Sequence, residues 1–572
     1  MNLKKTIFVF GASLFMASCT DLFNPDQLNM APKDNLNETK IFTDYNLFRQ
    51  YADHTYSYMP GHLARMWCGP VSELGDESRN NGVGTQTPPF NTGAWGGSKD
   101  DPGAAEIADM WDNLYVGIRK ANMCLNNIDK VTNFPEGIKD RYIGEMHFLR
   151  GFFYFELIKR WGGVPIVPQN VNLNEELDLP RNTYDDCVEY IVEECNAAAA
   201  ILPEKHADYD NGRATRGAAL ALKSRTLLYA ARPLHNPNDD VTKWEAAARA
   251  AKDVIDLGIY KLHPEYEKLF FEPICDEVIL NRPRSRINGS NGFYVSGGNH
   301  SSCGIIPRFY MTTRHNGWCQ DFVTQNMVDK FEDSKGYPID HKNSIYDKNN
   351  PYVNRDPRLD KCILRDGRMW CGVETEFWID EDGKYGLDKA TQHTNRLGYT
   401  CIKYWPDGFL RYGGSTTYLN YIFFRYAEIL LNFAEAQNEA GGPSSSLDGL
   451  SVRKVLTDLR KRVNQVPIPE DISDTRETMR KRIWNERAVE LCFEEHRWYD
   501  VISWHKGVEF FDEQKIYGMN ITKHSDGSKT YETFEYQDPT FKEHMHLYPI
   551  PYDEVYKSKV LKQNPGWPGY EE

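Results

Sequence analysis

The fold is constrained most by long segments whose apolar residues recur every three or four positions, each closed by glycine or proline. Residues 105–131 and 141–160 both follow this spacing, and the second segment ends at Gly162-Gly163. The spacing places the apolar side chains on one face of a helix, and the glycines end the helix. In the first segment the apolar positions are Ile107, Trp111, Leu114, Ile118, Ala121 and Leu125. The sequence therefore predicts a mainly α-helical fold.

Further helices are predicted in neighbouring pairs towards the start and the end of the chain. Small residues in one pair, such as Ala218 and Ala247, allow two helices to approach closely. This helix–turn–helix unit resembles a tetratricopeptide unit in its length and its small residues. Asp474 and Glu477 have capping-box spacing at the start of the last predicted helix. The predicted helices are residues 44–58, 184–202, 214–232, 241–257, 421–440, 449–463 and 474–505.

Two long insertions interrupt these tetratricopeptide-like pairs, at residues 60–104 and 259–420. They are rich in glycine, proline, asparagine and aromatic residues, and they contain short β-like runs. Long loops on a rigid helical scaffold are where binding sites usually lie. We predict that one loop-rich unit covers residues 41–572. Its parts are helical pairs at about 41–258 and 421–505, the two insertions, and a C-terminal segment at 506–572.

The N-terminus has the pattern of a bacterial lipoprotein signal. Two lysines precede a short apolar stretch over residues 6–18, which ends in small residues directly before Cys19. The stretch is shorter than the roughly 20 apolar residues that a membrane-spanning helix needs. We predict a signal peptide over residues 1–18, lipidation of Cys19, which would anchor the chain to a membrane, and a flexible tether over 19–40. The alternative is an ordinary secretory peptide in which Cys19 is incidental.

Charge and cysteine content exclude several classes of function. Lysine and arginine total 67 and aspartate and glutamate total 82, so the net charge is −15. A net-acidic chain lacks the basic footprint that binds phosphate backbones, which argues against a nucleic-acid partner. The cysteines form no C-x-x-C pair, so zinc-ribbon and thioredoxin-like motifs are unsupported. An exported chain can form disulfides, but spacing assigns no partners, and buried small apolar residues are the favoured interpretation of most cysteines.

Several segments, taken in chain order, resemble the SusD-like (RagB/SusD) family of outer-membrane nutrient-uptake lipoproteins. Residues 145–167, EMHFLRGFFYFELIKRWGGVPIV, resemble the most recognisable helix of the family and the turn after it. Residues 425–441 and 486–504 are further close matches. The other matching segments are residues 111–128, 212–231, 547–551 and 563–567. The resemblance implies a tetratricopeptide-like helical scaffold and a lipid-anchored position at the outer membrane, facing the exterior.

The resemblance also implies a function. Proteins of this family capture oligo- or polysaccharide without cleaving it and deliver it to a SusC-like TonB-dependent transporter. We therefore expect a glycan ligand, no cofactor and no enzymatic activity. A peptide-binding member of the same family is the alternative, and a glycoside hydrolase is a third hypothesis.

Three glutamates recur every four residues in the last predicted helix. Glu486, Glu490 and Glu494 would repel one another unless cations lie between them. The resemblance implies a structural polar network buried at the end of the helix array. The alternative is a pair of catalytic carboxylates that flank an open cleft, as in a glycoside hydrolase.

Two motifs contain possible metal ligands without completing a site. His544-Met545-His546 has no third ligand, so a surface strand is the favoured interpretation. Residues 380–383, DEDG, are only a fragment of a calcium loop, which favours a solvated turn. We predict no metal site.

A glycan site needs flat aromatic rings for the apolar sugar faces and short polar side chains for the hydroxyls. The resemblance implies that the first insertion supplies Arg79 and Trp95 and the second supplies Tyr294 and Trp318. For each aromatic residue the alternative is a core residue that anchors its loop, and for Arg79 it is a loop salt bridge. Two further tryptophans, Trp370 and Trp378, are reserve candidates for which a core position is favoured.

Overall fold

The structure is a computed structural model of the chain. It describes residues 38–61, 70–80, 87–170, 177–272, 274–283, 287–288, 321–389, 396–404, 406–408, 416–418 and 420–569. The predicted signal peptide, Cys19 and almost all of the predicted tether lie outside these residues.

Helices form the main frame, which confirms the prediction of a mainly α-helical fold. The longer helices are α2 (Tyr45–Thr55), α4 (Ala104–Asn127), α5 (Ile138–Trp161), α6 (Tyr184–Ile201), α7 (Arg216–Ala231), α8 (Val241–Asp256), α11 (Tyr426–Gly441), α12 (Val452–Lys461) and α13 (Arg476–Glu490). The shorter helices are α1 (Glu38–Ile41), α3 (Pro88–Asn91), α9 (Gln325–Lys330), α10 (Arg358–Cys362), α14 (Arg497–Ser503), α15 (Gly507–Phe511) and α16 (Tyr552–Lys557).

The long helices stack in chain order. Each helix from α5 to α8 packs against the one before it, beginning with α5 on α4. Helix α11 continues the stack by packing against α8, and it also contacts α12 and α13. The second insertion therefore leaves the stack after α8, and the chain returns to it at α11.

Helix α5 lies at the centre of the frame because it is apolar around most of its circumference. Phe148, Phe153 and Tyr154 lie on different sides of the helix, since successive residues are about 100° apart, and all three are buried. A helix that is apolar on all sides must be surrounded by other elements. Its neighbours include α4, α6 and α7, which cover these faces.

Two predicted helices differ from the structure. Residues 421–425 form a strand that pairs with residues 278–282, so the helix predicted from residue 421 begins only at Tyr426. The helix predicted over 474–505 is broken, because Phe493 and Glu495 adopt left-handed backbone angles between α13 and α14. Its capping box is formed by Thr475 and Thr478 rather than by Asp474 and Glu477.

The strands are short and form small sheets. They are β1 (Ser78–Asn80), β2 (Val278–Arg282), β3 (Ile287–Asn288), β4 (Asp321–Val323), β5 (Ile363–Leu364), β6 (Met369–Trp370), β7 (Val373–Glu374), β8 (Ile379–Asp380), β9 (Thr400–Cys401), β10 (Thr416–Thr417), β11 (Tyr421–Arg425), β12 (Ser446–Leu447), β13 (Leu450–Ser451), β14 (Ile516–Lys523) and β15 (Lys529–Gln537). Antiparallel pairs join β1 with β4, β2 with β11, β3 with β10, β5 with β9, β6 with β7, and β12 with β13. The hairpin of β14 and β15 is the longest, and β8 joins it in parallel.

Two large apolar clusters hold the molecule together. The first runs through the helical frame and includes Trp161, Phe433 and Trp498. The second lies mainly within the second insertion and includes Phe331 and Tyr399. A chain of 572 residues is longer than a single hydrophobic core usually serves, which explains why there are two large clusters. Among the described helices, we find none with the length and apolar character needed to cross a membrane.

Candidate functional site

The two insertions meet at a short antiparallel ribbon. Strand β1 of the first insertion pairs with β4 of the second, with Arg79 opposite Phe322 and Asn80 opposite Asp321. The pairing is antiparallel, so the chain leaves β1 after Asn80 and enters β4 at Asp321 at the same end of the ribbon. Residues 81–86 of the first insertion and the segment before Asp321, which contains Trp318, therefore adjoin the same end of the ribbon.

Arg79 anchors this ribbon from the inside. Its Nε donates a hydrogen bond of 2.6 Å to Oε1 of Gln537 in β15. One of its terminal nitrogens donates to the carbonyl oxygens of Glu73, at 3.2 Å, and Ser78, at 2.8 Å. Only 3% of the residue is exposed. The prediction that Arg79 faces a ligand is therefore wrong, because its guanidinium group is buried and bound to the protein itself.

Glu73 binds the two residues that border residues 81–86, Asn80 and Thr87. Its side chain is buried, and one carboxylate oxygen accepts a hydrogen bond of 3.2 Å from Nδ2 of Asn80. The other carboxylate oxygen accepts from the hydroxyl of Thr87. Asn80 and Thr87 lie on either side of residues 81–86, so a single carboxylate holds these two residues close together. Sequence reasoning missed Glu73, because nothing in its local pattern distinguishes it from a solvent-exposed glutamate.

Trp95 lies in an aromatic cluster and presents no open ring face. Its ring stacks on Phe90, with centroids 4.6 Å apart and an angle of 23°, and contacts Tyr548 and Trp567 edge-on. Only 4% of the residue is exposed. The prediction that Trp95 is a sugar-stacking platform is wrong, because such a platform needs one face open to the ligand. The packing agrees with the alternative interpretation, in which Trp95 is a core residue that anchors the first insertion.

Tyr294 and Trp318 lie outside the described residues. The described chain borders their segment on both sides, at Asn288 of β3 and at Asp321 of β4. The reserve candidates Trp370 and Trp378 are both buried, which confirms their favoured interpretation as core residues.

The repeated glutamates form a buried ion network. Glu486 binds Arg358 and Arg460, at 2.5 and 2.7 Å. Glu490 binds Arg358 at 3.0 Å and Arg425 at 2.8 Å. All five side chains are 1% exposed or less, so cations from three other elements separate the glutamates. This confirms the structural network and removes Glu486 and Glu490 as a catalytic pair, since no substrate reaches them.

The network continues at its third glutamate and controls the charge state of its members. Glu494 binds Arg425 at 2.7 Å and Lys403 at 2.6 Å. Burial alone would raise the pKa of Glu490, but the guanidinium groups of Arg462, Arg425 and Arg358 hold it well below its usual value. Glu490 is therefore ionised at neutral pH and cannot act as a general acid.

The histidine motif is a turn and not the expected surface strand. His544 and His546 lie in a 3₁₀ turn over Glu543–His546. Nε2 of His546 accepts a hydrogen bond from the backbone N–H of Gly507, and Nδ1 donates to the carbonyl oxygen of Glu543. His505 and Glu543 lie close to His546, and these three could ligate a metal only if His546 gave up one of these bonds.

The acidic turn at residues 380–383 binds its own backbone. Oδ1 of Asp380 accepts hydrogen bonds from the N–H groups of Asp382 and Lys384, at 3.1 and 2.7 Å. The carboxylate of Glu381 pairs with His524 at 2.8 Å. This geometry agrees with a solvated turn.

Comparisons with known proteins match this architecture. The model of the SusD family matches residues 276–567, and a model described as "Starch-binding associating with outer membrane" matches residues 90–228. SusD-like protein P38 of Formosa agariphila is 23% identical over 411 residues, which cover 70% of this chain and 73% of that protein.

Solved structures give the same result. A SusD-like protein from Bacteroides fragilis is 27% identical with a TM-score of 0.74, covering 94% of this chain and all of that one. A SusD-like carbohydrate binding protein from the same species is 23% identical with a TM-score of 0.72, covering 91% of this chain and all of that one. Because the SusD family model covers more than half of the sequence and the fold agrees, this chain belongs to the SusD family.

Proposed function

We propose that this protein is a non-catalytic, glycan-binding lipoprotein of the outer membrane. It captures oligo- or polysaccharide and delivers it to a SusC-like TonB-dependent transporter, with which it forms a complex at the cell exterior. Lipidation of Cys19 attaches it to the membrane. Its family membership and its resemblance to a carbohydrate binding protein support this proposal.

The pairing of Asn80 with Asp321 is the observation that carries the proposal. It brings the two insertions to the same end of one ribbon. A glycan site assembled from two separate loops needs such a shared base, because weak contacts bind well only when they are held in place beforehand.

We assign the sugar-stacking role to Tyr294 and Trp318 of the second insertion. Arg79 anchors the base of the site and Trp95 packs in an aromatic cluster, so neither contacts the ligand, since both are buried. Glu73 also supports the site, through its hydrogen bonds with Asn80 and Thr87.

Affinity electrophoresis tests the proposal. The purified protein is run through gels that contain amylopectin, xylan, pectin or a mixed-linkage glucan. We expect one polysaccharide to retard the wild-type protein, and Tyr294→Ala and Trp318→Ala each to weaken binding at least tenfold, which corresponds to about 1.4 kcal/mol. Tyr556→Ala is the matched control, since Tyr556 is 77% exposed on α16 and belongs to neither insertion.

Three outcomes would contradict parts of the proposal. Unchanged binding by both variants would move the site elsewhere. Retention on an immobilised peptide library, with no retardation by any polysaccharide, would favour the peptide-binding alternative. Release of reducing ends from the retained polysaccharide would mean that the protein is an enzyme.

A further inference from the structure

Two cysteines that are far apart in the sequence meet in the second apolar cluster. Cys362 ends α10, and Cys492 lies in the turn that follows α13. Both residues are completely buried in the same apolar cluster, and each thiol lies close enough to influence the ionisation of the other. The structure holds both as free thiols. This contact joins the second insertion to the helical frame.

A tyrosine fixes the positions of both backbone segments. The Cys362 thiol lies 3.5 Å from the Tyr266 hydroxyl. The same hydroxyl donates a hydrogen bond of 2.9 Å to the carbonyl oxygen of Glu490, two residues before Cys492. On its other side, the carbonyl oxygen of Cys362 accepts a hydrogen bond of 2.9 Å from the N–H of Ile402. Tyr266 and Ile402 therefore position the backbone segments that carry the two thiols.

A buried lysine completes the site. Nζ of Lys403 lies 3.7 Å from Sγ of Cys492 and donates hydrogen bonds to the carbonyl oxygens of Cys492 and Glu490, at 2.9 and 3.0 Å. A cation beside a thiol stabilises the thiolate, which is the reactive form in disulfide exchange. Burial raises the pKa of Cys362, but its interaction with Cys492 and the charge of Lys403 lower it to about 7, whereas burial raises the pKa of Cys492. Cys362 is therefore the thiol that ionises first.

We propose that Cys362 and Cys492 form a disulfide bond in the exported protein. The inference rests on the export that the proposed function requires, since disulfides persist in oxidising compartments. The oxidant is a protein or small molecule that itself carries a disulfide. The Cys362 thiolate attacks one of its sulfurs, breaks its S–S bond and releases one thiol. The Cys492 thiolate then attacks the Cys362 sulfur and releases the second thiol. The protein loses two electrons and two protons, and both are gained by the oxidant.

The disulfide would clamp the turn after α13. Phe493 and Glu495 hold left-handed angles in this turn, which cost energy for residues other than glycine. A covalent bond at Cys492 would keep the turn in place against the second insertion. Because both sulfurs are sealed from solvent, the bond forms as this core closes, and reductants then reach it slowly.

Trypsin separates the two cysteines into peptides that contain no other cysteine. Cleavage after Lys361 and Arg365 releases CILR, and cleavage after Arg487 and Arg497 releases AVELCFEEHR. The full chain, produced with its own signal sequence in a bacterium that has an outer membrane, is denatured and alkylated with iodoacetamide without reductant. We expect mass spectrometry to find the two peptides linked, and the linked species to disappear after reduction.

Alkylation of both cysteines would contradict the proposed disulfide. If both peptides carry the alkyl group in unreduced protein from the outer-membrane fraction, the disulfide does not form, while the proposed location of the protein still holds. A chain that is absent from that fraction would instead contradict the proposed function.

Thermal unfolding provides a second measurement. The protein is first incubated with reductant until alkylation shows that the linked peptides are gone. We then expect a lower midpoint of unfolding for the wild-type protein and an unchanged midpoint for Cys362→Ser/Cys492→Ser. The control is Cys187→Ser/Cys195→Ser, which should respond to reductant as the wild type does. Its cysteines are eight residues apart on α6, about 12 Å along the helix axis, which is too far for a disulfide. A midpoint of the wild type that ignores reductant would overturn the inference.

Discussion

Arg79 donates a hydrogen bond to Gln537, a residue 458 positions later in the chain. This bond ties the ribbon of the first insertion to β15 of the C-terminal hairpin. The base of the proposed glycan site therefore depends on a contact between opposite ends of the sequence, and the contact can be tested by a double-mutant cycle.

We expect Arg79→Ala to destabilise the fold by about 1.5–3 kcal/mol, since it removes a charged donor and leaves buried carbonyl groups without a partner. Gln537→Ala should cost less. The two changes together should cost about 1 kcal/mol less than the sum of the single changes, because they share one bond. Urea unfolding measures all three variants. The exposed pair Lys515 and Glu535 on the same hairpin is the control, for which we expect little coupling. Additive effects of Arg79→Ala and Gln537→Ala would show that the bond contributes nothing.

The buried ion network predicts a large effect from one neutralised glutamate. Glu490→Gln leaves Arg358 and Arg425 without their shared anion, and breaking a buried pair of this kind costs about 3–5 kcal/mol. The free energy of unfolding in urea is the measurement. Glu477→Gln on the same helix removes only an exposed pair with Lys481, so its stability should match the wild type. Similar values for the two variants would argue that the network is not structural.

Glu77 predicts a pH dependence with a defined sign. Burial raises the pKa of Glu77 from 4.5 to about 8, although the N–H of Phe493 donates to its carboxyl group. The folded state therefore holds this proton more tightly than the unfolded state. The contribution of Glu77 to the free energy of unfolding is lost as pH rises from 4.5 to about 8. The Glu77→Gln variant keeps an oxygen that accepts a hydrogen bond from the N–H of Phe493, but its side chain cannot ionise.

The comparison of wild type with Glu77→Gln isolates this effect. We expect the stability of the wild type relative to the variant to fall by up to about 1.4 kcal/mol per pH unit between pH 5 and pH 8. Urea unfolding of both proteins across this range measures the difference. Parallel pH profiles would mean that Glu77 ionises normally in the folded protein.

Two glycines in or next to α5 predict opposite outcomes for the same substitution. A Cβ at Gly163 would lie 2.2 Å from the carbonyl oxygen of Asn182, and backbone cannot move away. We expect Gly163→Ala to destabilise by about 2 kcal/mol or more. At Gly151 the nearest atom is Cβ of Glu194, at 3.2 Å, and alanine favours the helix by about 1 kcal/mol, so Gly151→Ala should be nearly neutral. Thermal unfolding compares them, and equal losses would contradict the packing described for this helix.

The helical frame could be predicted because its signal is local. Helix α6 was predicted over residues 184–202 and is observed at Tyr184–Ile201, since apolar spacing and a following proline define it without reference to other elements. The end of α13 could not be predicted in this way. The apolar and charged spacing continues past Glu490, but the ion pairs of Glu490 and Glu494 and the left-handed residues end the helix there.

The candidate site was likewise predictable only in part. The sequence by itself determined the helical scaffold, the family resemblance and which two insertions carry aromatic and polar residues. Only the tertiary structure decided that Trp95 and Arg79 are buried, since Tyr548, Trp567 and Gln537 come from the far end of the chain. Helix periodicity depends on neighbours three or four residues away, whereas the exposure of a side chain depends on which distant segments pack against it.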